Sequence, residues 1–369
     1  MKKSKMHYAN LIFISIFILS FLCCFLSQNL YENTTRYASL IAFISLIILL
    51  FAYVNPFVQL KNKDVELIGI TIAAIIAMLN LMIIESNKGA FLTAANLLLV
   101  IYLSDKVSFS EKEKMVLSGC GAAFLGFWFS DVKWDYNFNM VGLVFMVIGI
   151  LALLFLEMIR EKFELGYLLY IEILLYFTIT LYTILYHSRC AMVGLLLFGV
   201  FVILGKAIGK SKICFRCFAL LATAGSILFT IFYVYLGTLS LNLKFLYKDL
   251  LSGREDIWKE LWEVFLRSPI TGIGSSYKMK SFFIFEVHNG LFDILVVHGI
   301  LVFLVILLFL LKRLFQYQSR FKNTNQMCIS MAGFFAMLFT SFFENYFIVS
   351  PYLMVFFVLL TWGNEERNF

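Results

Sequence analysis

The chain has 369 residues, of which 62% are hydrophobic and 14% are charged. Soluble domains carry about 25% charged residues, so this composition excludes a soluble globular protein and predicts an integral membrane protein. The formal net charge of +7 indicates no nucleic-acid partner, because the basic excess lies on one rim of the predicted membrane topology, where anionic lipid headgroups attract it.

Hydrophobic stretches follow one another along the chain, and a transmembrane helix needs about 20 apolar residues. No small-residue cleavage site follows the first stretch, so we interpret it as an uncleaved helix rather than a signal peptide. We predict an all-α polytopic protein with about 12 transmembrane helices, of which the fourth and the last are short. The predicted spans are residues 11–27, 37–54, 65–84, 89–103, 115–130, 139–159, 167–186, 188–204, 217–237, 290–311, 327–348 and 352–363.

Basic residues predict the orientation of these spans by the positive-inside rule. With a cytoplasmic N-terminus, most Lys and Arg residues lie in the inner connections. The short outer connections hold only Arg36, Lys88, Lys133 and Arg189. The chain then divides into residues 1–239 with nine spans, residues 240–289 as one large extracytoplasmic loop, and residues 290–369 with the last three spans.

The outer loop contains a predicted amphipathic helix from Gly253 to Arg267. Ser252 and Glu255 have the spacing of a capping box at its start. Pro269 and a glycine-rich turn end it. Its apolar face is formed by Ile257, Trp258, Leu261, Trp262 and Phe265. Such a helix lies in the membrane interface, where it either covers the outer surface or presents its first turn and Arg254 to an anion.

Charged side chains within spans are costly and often functional. Asp293 and Glu344 lie toward the outer ends of their spans, and we expect His298, which is deeper, to hydrogen-bond another helix. Three carboxylates near span ends are interpreted as anchors that reach water, namely Glu85, Glu157 and Glu172.

Three cationic or titratable residues are predicted to share the outer face: Arg189, Arg254 and His288. Alone, Arg189 would be read as an interfacial arginine whose charge reaches the surface. Two guanidinium groups and one imidazole can together bind a diphosphate and remove a proton from a hydroxyl.

Metal-ligand spacings and phosphate-loop patterns are not found in the sequence. Asp131 and Asp135 share a short outer connection, but two carboxylates on such a link are weak evidence for a cation site. No metal or cofactor is therefore predicted.

These residues give the chain a resemblance to the bacterial superfamily of lipid-linked polysaccharide polymerases and ligases, the Wzy-type O-antigen and capsule polymerases together with the O-antigen ligases. Ser188-Arg189 opens a span that continues with small and apolar residues. Gly253-Arg254, Trp258, Pro269 and Gly272-Ile273-Gly274 follow one another in the outer loop, and His288-Asn289 precedes Gly299. The ligase pattern has a small or hydroxylic residue where this chain has Val302.

The resemblance implies a GT-C-like glycosyltransferase in the bacterial cytoplasmic membrane, independent of metal and nucleotide. The implied donor is a glycan on undecaprenyl diphosphate, and the implied partners are membrane lipid, a flippase and a chain-length regulator. Arg189, Arg254 and His288 would be catalytic. The implied substrate-binding residues are Trp258, Gly272, Gly274, Asn289 and Glu344.

The function predicted from these features is polymerisation of lipid-linked repeat units. A ligase that transfers a finished glycan to another acceptor would use the same chemistry. A secondary transporter or flippase would be expected to show inverted repeats with matching interrupted helices, and the outer loop has no counterpart in the first half of the chain. A peptidoglycan-polymerising relative would require a committed aspartate in the outer loop, where Asp249 and Asp256 lie.

Overall fold

The computed structural model describes residues 2–84, 88–130, 137–239, 244–245, 248–249, 253–280 and 287–365. These residues are almost entirely helical, which confirms the all-α class. The helices are α1 (Lys2–Phe25), α2 (Gln28–Tyr53), α3 (Pro56–Lys61), α4 (Val65–Ile83), α5 (Lys88–Leu103), α6 (Glu111–Ser130), α7 (Phe138–Phe163), α8 (Leu168–Leu185), α9 (Arg189–Lys210), α10 (Lys212–Ala222), α11 (Ala224–Thr238), α12 (Arg254–Phe265), α13 (Gly290–Ser319), α14 (Asn325–Thr340) and α15 (Tyr352–Thr361). Two short strands, β1 (Lys244–Phe245) and β2 (Lys248–Asp249), pair antiparallel, and a 3₁₀ turn covers Tyr346–Ile348.

The described helices that meet the length and hydropathy of a membrane span are fewer than the 12 spans predicted from the sequence. Among the described residues, six helices are long and apolar enough to cross a membrane, and up to eight if each of two bent pairs forms one span. Helices α5, α14 and α15 are apolar but have only 16, 16 and 10 residues. The chain is a multi-pass membrane protein, but the predicted number of about 12 spans is not confirmed.

The centre of the bundle is α7, which packs against α6, α8, α9 and α14. Helices α14 and α15 are largely internal: they are apolar and nearly all of their residues are buried, whereas α5 is buried from Ala94 to its end at Leu103. The predicted eleventh span, residues 327–348, is wrong at its end. Its helix, α14, stops at Thr340, so Glu344 lies in a turn rather than in a helix.

Helix α13 is broken at Gly299, where φ is 82° and ψ is 172°. The turn after α12 fills the break. Ile273 N–H donates to the Val296 carbonyl at 2.9 Å, and Ile300 N–H donates to the Pro269 carbonyl at 2.8 Å. A Cβ on Gly299 would lie 2.1 Å from the Ile270 carbonyl oxygen, so the two backbones approach this closely only with glycine. The contact attaches the α12 segment directly to α13.

Two predictions about charged residues near the span ends have outcomes in the structure. Glu157 and Glu172 are buried and both form ion pairs with Arg160, so their interpretation as water-reaching anchors is wrong. His298 is buried and its ring hydrogen-bonds the backbone of Ala90 on α5, which confirms the expected contact between helices. Glu85 lies outside the described residues.

Candidate active site

Helix α12 carries Arg254 at its first position. The N-cap is Gly253, at φ 84°, rather than the predicted Ser252, which is outside the described residues. The expected apolar face is confirmed: four of its residues are buried and Trp262 is half-buried. Because that face packs on α11, the start of α12 has a defined position beside the bundle.

Trp258 connects α12 to the segment that precedes α13. It is fully buried, and its indole N–H donates to the Val287 carbonyl at 2.6 Å. Its ring makes edge contacts with Tyr233 and Phe229 on α11. The backbone just before His288 is thereby held against α12.

Asn289 holds the other side of His288. It is fully buried and is the N-cap of α13. Its side chain hydrogen-bonds Ser226, Thr230, Phe342 and Phe292. His288 itself has φ 52°, a left-handed conformation that non-glycine residues seldom adopt and that often occurs at functional sites. The imidazole is therefore held in place by both of its neighbours in the sequence.

Glu344 joins the two predicted catalytic residues that are far apart in the sequence. One carboxylate oxygen accepts from Arg254 Nη2 at 2.5 Å, and the other lies 3.0 Å from His288 Nδ1. Asn139, at the start of α7, donates its side-chain N–H to the first oxygen at 3.3 Å. The Glu344 side chain is 12% exposed and that of His288 is 25% exposed, so the group borders water without being fully solvated.

The first turn of α9 lies next to this group. The Ser188 hydroxyl donates to the Asn139 backbone carbonyl at 3.2 Å. The Cys190 thiol is close enough to the Glu344 carboxylate for the two groups to interact electrostatically. Arg189, between Ser188 and Cys190, is half-buried. The structure therefore brings the α9 start, the α12 start and the α13 start to one side of the bundle.

A cavity of about 270 Å³ opens at Glu344 and His288. Its lining also includes residues that the sequence patterns do not single out: Gln28, Tyr31, Glu32, Asn137, Asn139 and Asn345. A polar residue at a span end carries little signal by itself, so only the packing of α2 and α7 beside Glu344 identifies them. We call this space the Glu344 cavity.

The other predicted substrate-binding residues lie in the scaffold around this cavity. Gly272 and Gly274 belong to the turn in the α13 break: the Gly274 N–H donates to the Val297 carbonyl at 3.2 Å. Trp258 and Asn289 have no exposed surface. These four residues shape the site through packing and backbone contacts.

Among the residues that the structure describes, no group of three His, Cys, Asp or Glu side chains could hold a metal ion. Asp131 and Asp135 lie outside the described residues.

The His288–Glu344 pair has the geometry of a base and its orienting carboxylate. A carboxylate that accepts the Nδ1–H of a histidine fixes the tautomer with a lone pair on Nε2 and stabilises the imidazolium formed when Nε2 takes a proton. The proton position on the ring is inferred from this contact. Arg254 on the same carboxylate places a positive charge beside the base.

Residues 174–307 match the family model described as O-antigen ligase. This range contains Arg189, Arg254 and His288 and ends before Glu344. The match confirms the resemblance that the sequence motifs indicate. No curated protein and no solved structure matches the chain.

Proposed function

We propose, on the premise that this chain carries a domain of the O-antigen polymerase and ligase superfamily, that it polymerises oligosaccharide repeat units carried on undecaprenyl diphosphate. In this proposal the reaction takes place at the outer face of the bacterial cytoplasmic membrane, and the side of the bundle that carries α12 faces outward, as the distribution of basic residues predicts. The observation that carries this proposal is the contact of Arg254 and His288 with one carboxylate, that of Glu344, at the edge of a cavity.

In the proposed reaction a hydroxyl of one lipid-linked unit attacks the anomeric carbon of another. The new bond joins the hydroxyl oxygen to that carbon, and the bond from the carbon to the phosphate oxygen breaks with inversion. His288 takes the hydroxyl proton on Nε2, while Glu344 holds Nδ1–H. The electron pair of the broken bond leaves with undecaprenyl diphosphate.

The leaving diphosphate gains negative charge as the bond breaks, and fixed cations are most effective there. Arg254 and Arg189 are the residues that we assign to this role. Trp258, Asn289, Gly272 and Gly274 have buried or backbone contacts and are assigned to holding the loop rather than to touching the sugar.

Purified protein in lipid nanodiscs tests the proposal. The substrate is the lipid-linked oligosaccharide extracted from cells that lack the protein, with EDTA present because the resemblance implies metal-independent transfer. Wild-type protein should give a ladder of products spaced by one repeat unit. Arg254→Lys and His288→Asn should lose about 100-fold or more of this activity, whereas Arg267→Lys, at an exposed position beyond α12, should retain it. Full elongation by His288→Asn would contradict the proposal.

A ligase is the second candidate, because the matched family model is described as O-antigen ligase. It would transfer a finished glycan once to a different lipid acceptor and would give a single product in place of a ladder. Adding such an acceptor to the same assay separates the two functions.

A further inference from the structure

The charged side chains that line the Glu344 cavity are mostly acidic. Besides His288 and Glu344, its ionisable side chains include Glu32, and no Lys or Arg lines it among the described residues. Glu344 is already paired with Arg254 and His288. Glu32 accepts a hydrogen bond from the neutral side-chain amide of Gln28 at 2.6 Å. Glu32, at the fifth residue of α2, thus gives the part of the cavity formed by α2 an acidic side chain.

Hydrogen-bonding capacity is also available there. Gln28 Nε2 is bound to Glu32, whereas the buried Oε1 of Gln28 accepts no hydrogen bond among the described residues. A buried acceptor without a partner is costly, and a hydroxyl or ammonium donor would satisfy it. The side-chain oxygen of Asn137 accepts the Asn139 backbone N–H at 3.0 Å, and Asn137 belongs to the same lining. Tyr31 adds an aromatic ring. Amides, a carboxylate and a ring together suit a sugar.

We infer that Gln28, Tyr31, Glu32, Asn137 and Asn139 form the subsite for the acceptor sugar, and that this subsite selects an uncharged or amino sugar over a uronic acid. The inference rests on the proposed function and names the acceptor class for the same site. The volume of about 270 Å³ is slightly below the range of about 300–1,000 Å³ for small-molecule sites, which fits the terminal sugar rather than a whole repeat unit.

The position of His288 makes this the acceptor side rather than the donor side. His288 lines the cavity, so a hydroxyl of a sugar bound there lies beside the imidazole. Arg254 contacts Glu344 but is not part of the lining. The cation that would bind a diphosphate, Arg254, therefore lies outside the cavity lining. A diphosphate inside the cavity would be repelled by the Glu32 carboxylate.

Binding of soluble trisaccharides tests the subsite without turnover. The affinities of three trisaccharides for the protein in nanodiscs are measured by calorimetry. Their non-reducing ends are glucose, glucosamine and glucuronic acid. Wild-type protein should bind the glucuronic acid compound about tenfold more weakly than the other two, because a like charge faces Glu32. Glu32→Gln should reduce this difference to about threefold or less. Gln28→Leu should weaken all three by about fivefold.

Two control variants isolate the effect. Glu263→Gln removes an exposed carboxylate on α12, and Asn33→Ala removes an exposed amide on α2; both should bind like wild type. Equal wild-type affinity for glucose and glucuronic acid ends, or an unchanged ratio in Glu32→Gln, overturns the inference.

Elongation measured in parallel separates this inference from the proposed function. Selective binding that depends on Glu32, without elongation by the wild type, overturns the polymerase and supports the sugar subsite. Elongation without selectivity supports the polymerase and overturns the subsite. Where both hold, Glu32→Gln should raise kcat/KM for an acceptor with a terminal uronic acid about threefold or more and leave the donor KM unchanged.

Discussion

Two parts of this molecule are each built around one glutamate that pairs with an arginine distant in the sequence. Glu66 on α4 pairs with Arg313 on α13, and Glu344 pairs with Arg254 and His288. Both groups of ion pairs hold helices together, but their surroundings differ. The Arg313 side chain is 2% exposed and that of Arg254 is 15% exposed.

In the first pair, each guanidinium nitrogen of Arg313 has a hydrogen-bond or ion-pair partner. Arg313 Nε donates to the Ile101 carbonyl at 2.6 Å, Nη1 lies 3.0 Å from Asp105, and Nη2 binds Glu66. Lys312 forms a further ion pair with Glu66 at 2.5 Å. Around Glu344, by contrast, the contacts stop at a cavity that His288 also lines. A buried charge cluster in which every guanidinium nitrogen has a partner stabilises a fold, whereas a partly exposed one beside a cavity can exchange its partners for a substrate.

The largest expected difference comes from neutralising Glu344. Glu344→Gln keeps the shape and one hydrogen bond but removes the charge that orients His288. We expect elongation to fall about 100-fold or more, with a thermal unfolding midpoint within a few degrees of wild type. Unchanged elongation would show that Glu344 acts only in the fold.

The opposite result is expected at Arg313. Arg313→Met leaves the buried Glu66 and the half-buried Asp105 with fewer cations, and breaking a buried pair typically costs about 3–5 kcal/mol. We expect about 3 kcal/mol in the free energy of unfolding, measured by denaturant titration in detergent, because Lys312 still pairs with Glu66. The turnover of the folded fraction should stay within about twofold of wild type. A selective loss of turnover would remove the distinction between the two clusters.

A smaller effect is expected from Asn139, which donates to Glu344 and whose backbone receives Ser188. Asn139→Ala removes a single long hydrogen bond of about 1 kcal/mol, so kcat/KM should fall about fivefold. Asn33→Ala, at an exposed position on α2, is the control. A loss as large as that of Glu344→Gln would contradict a role for Asn139 that is limited to supporting Glu344 and lining the acceptor subsite.

The smallest effect concerns Glu255, beside Arg254. Burial raises the pKa of its carboxyl. The folded state therefore holds this proton more tightly than the unfolded chain does, and stability declines as the pH rises through the raised pKa. Between about pH 4 and pH 7, the thermal midpoint of Glu255→Gln should decline less than that of wild type, whereas exposed Glu263→Gln should follow wild type. Parallel curves for Glu255→Gln and wild type would contradict this.

Several features of the fold and the site follow from sequence patterns alone. Continuous apolar runs determine the helical membrane class, because a backbone in lipid must satisfy its own hydrogen bonds. The three- and four-residue spacing of apolar side chains predicts the buried face of α12. Arg254 and His288 can be selected from the sequence as candidate site residues because charged residues and turns are rare in such a chain.

Local patterns in the chain are thus enough to specify a helical membrane protein with a polar segment that carries an amphipathic helix. Packing alone reveals that Glu344 joins Arg254 to His288, that Gln28 and Asn139 line the same cavity, and that Gly272 belongs to the break in α13. The difference is one of range. Hydrophobic periodicity is a local property that a helix expresses within its own turns, whereas a hydrogen bond between Arg254 and Glu344 depends on how α9, α12, α13 and α14 pack together.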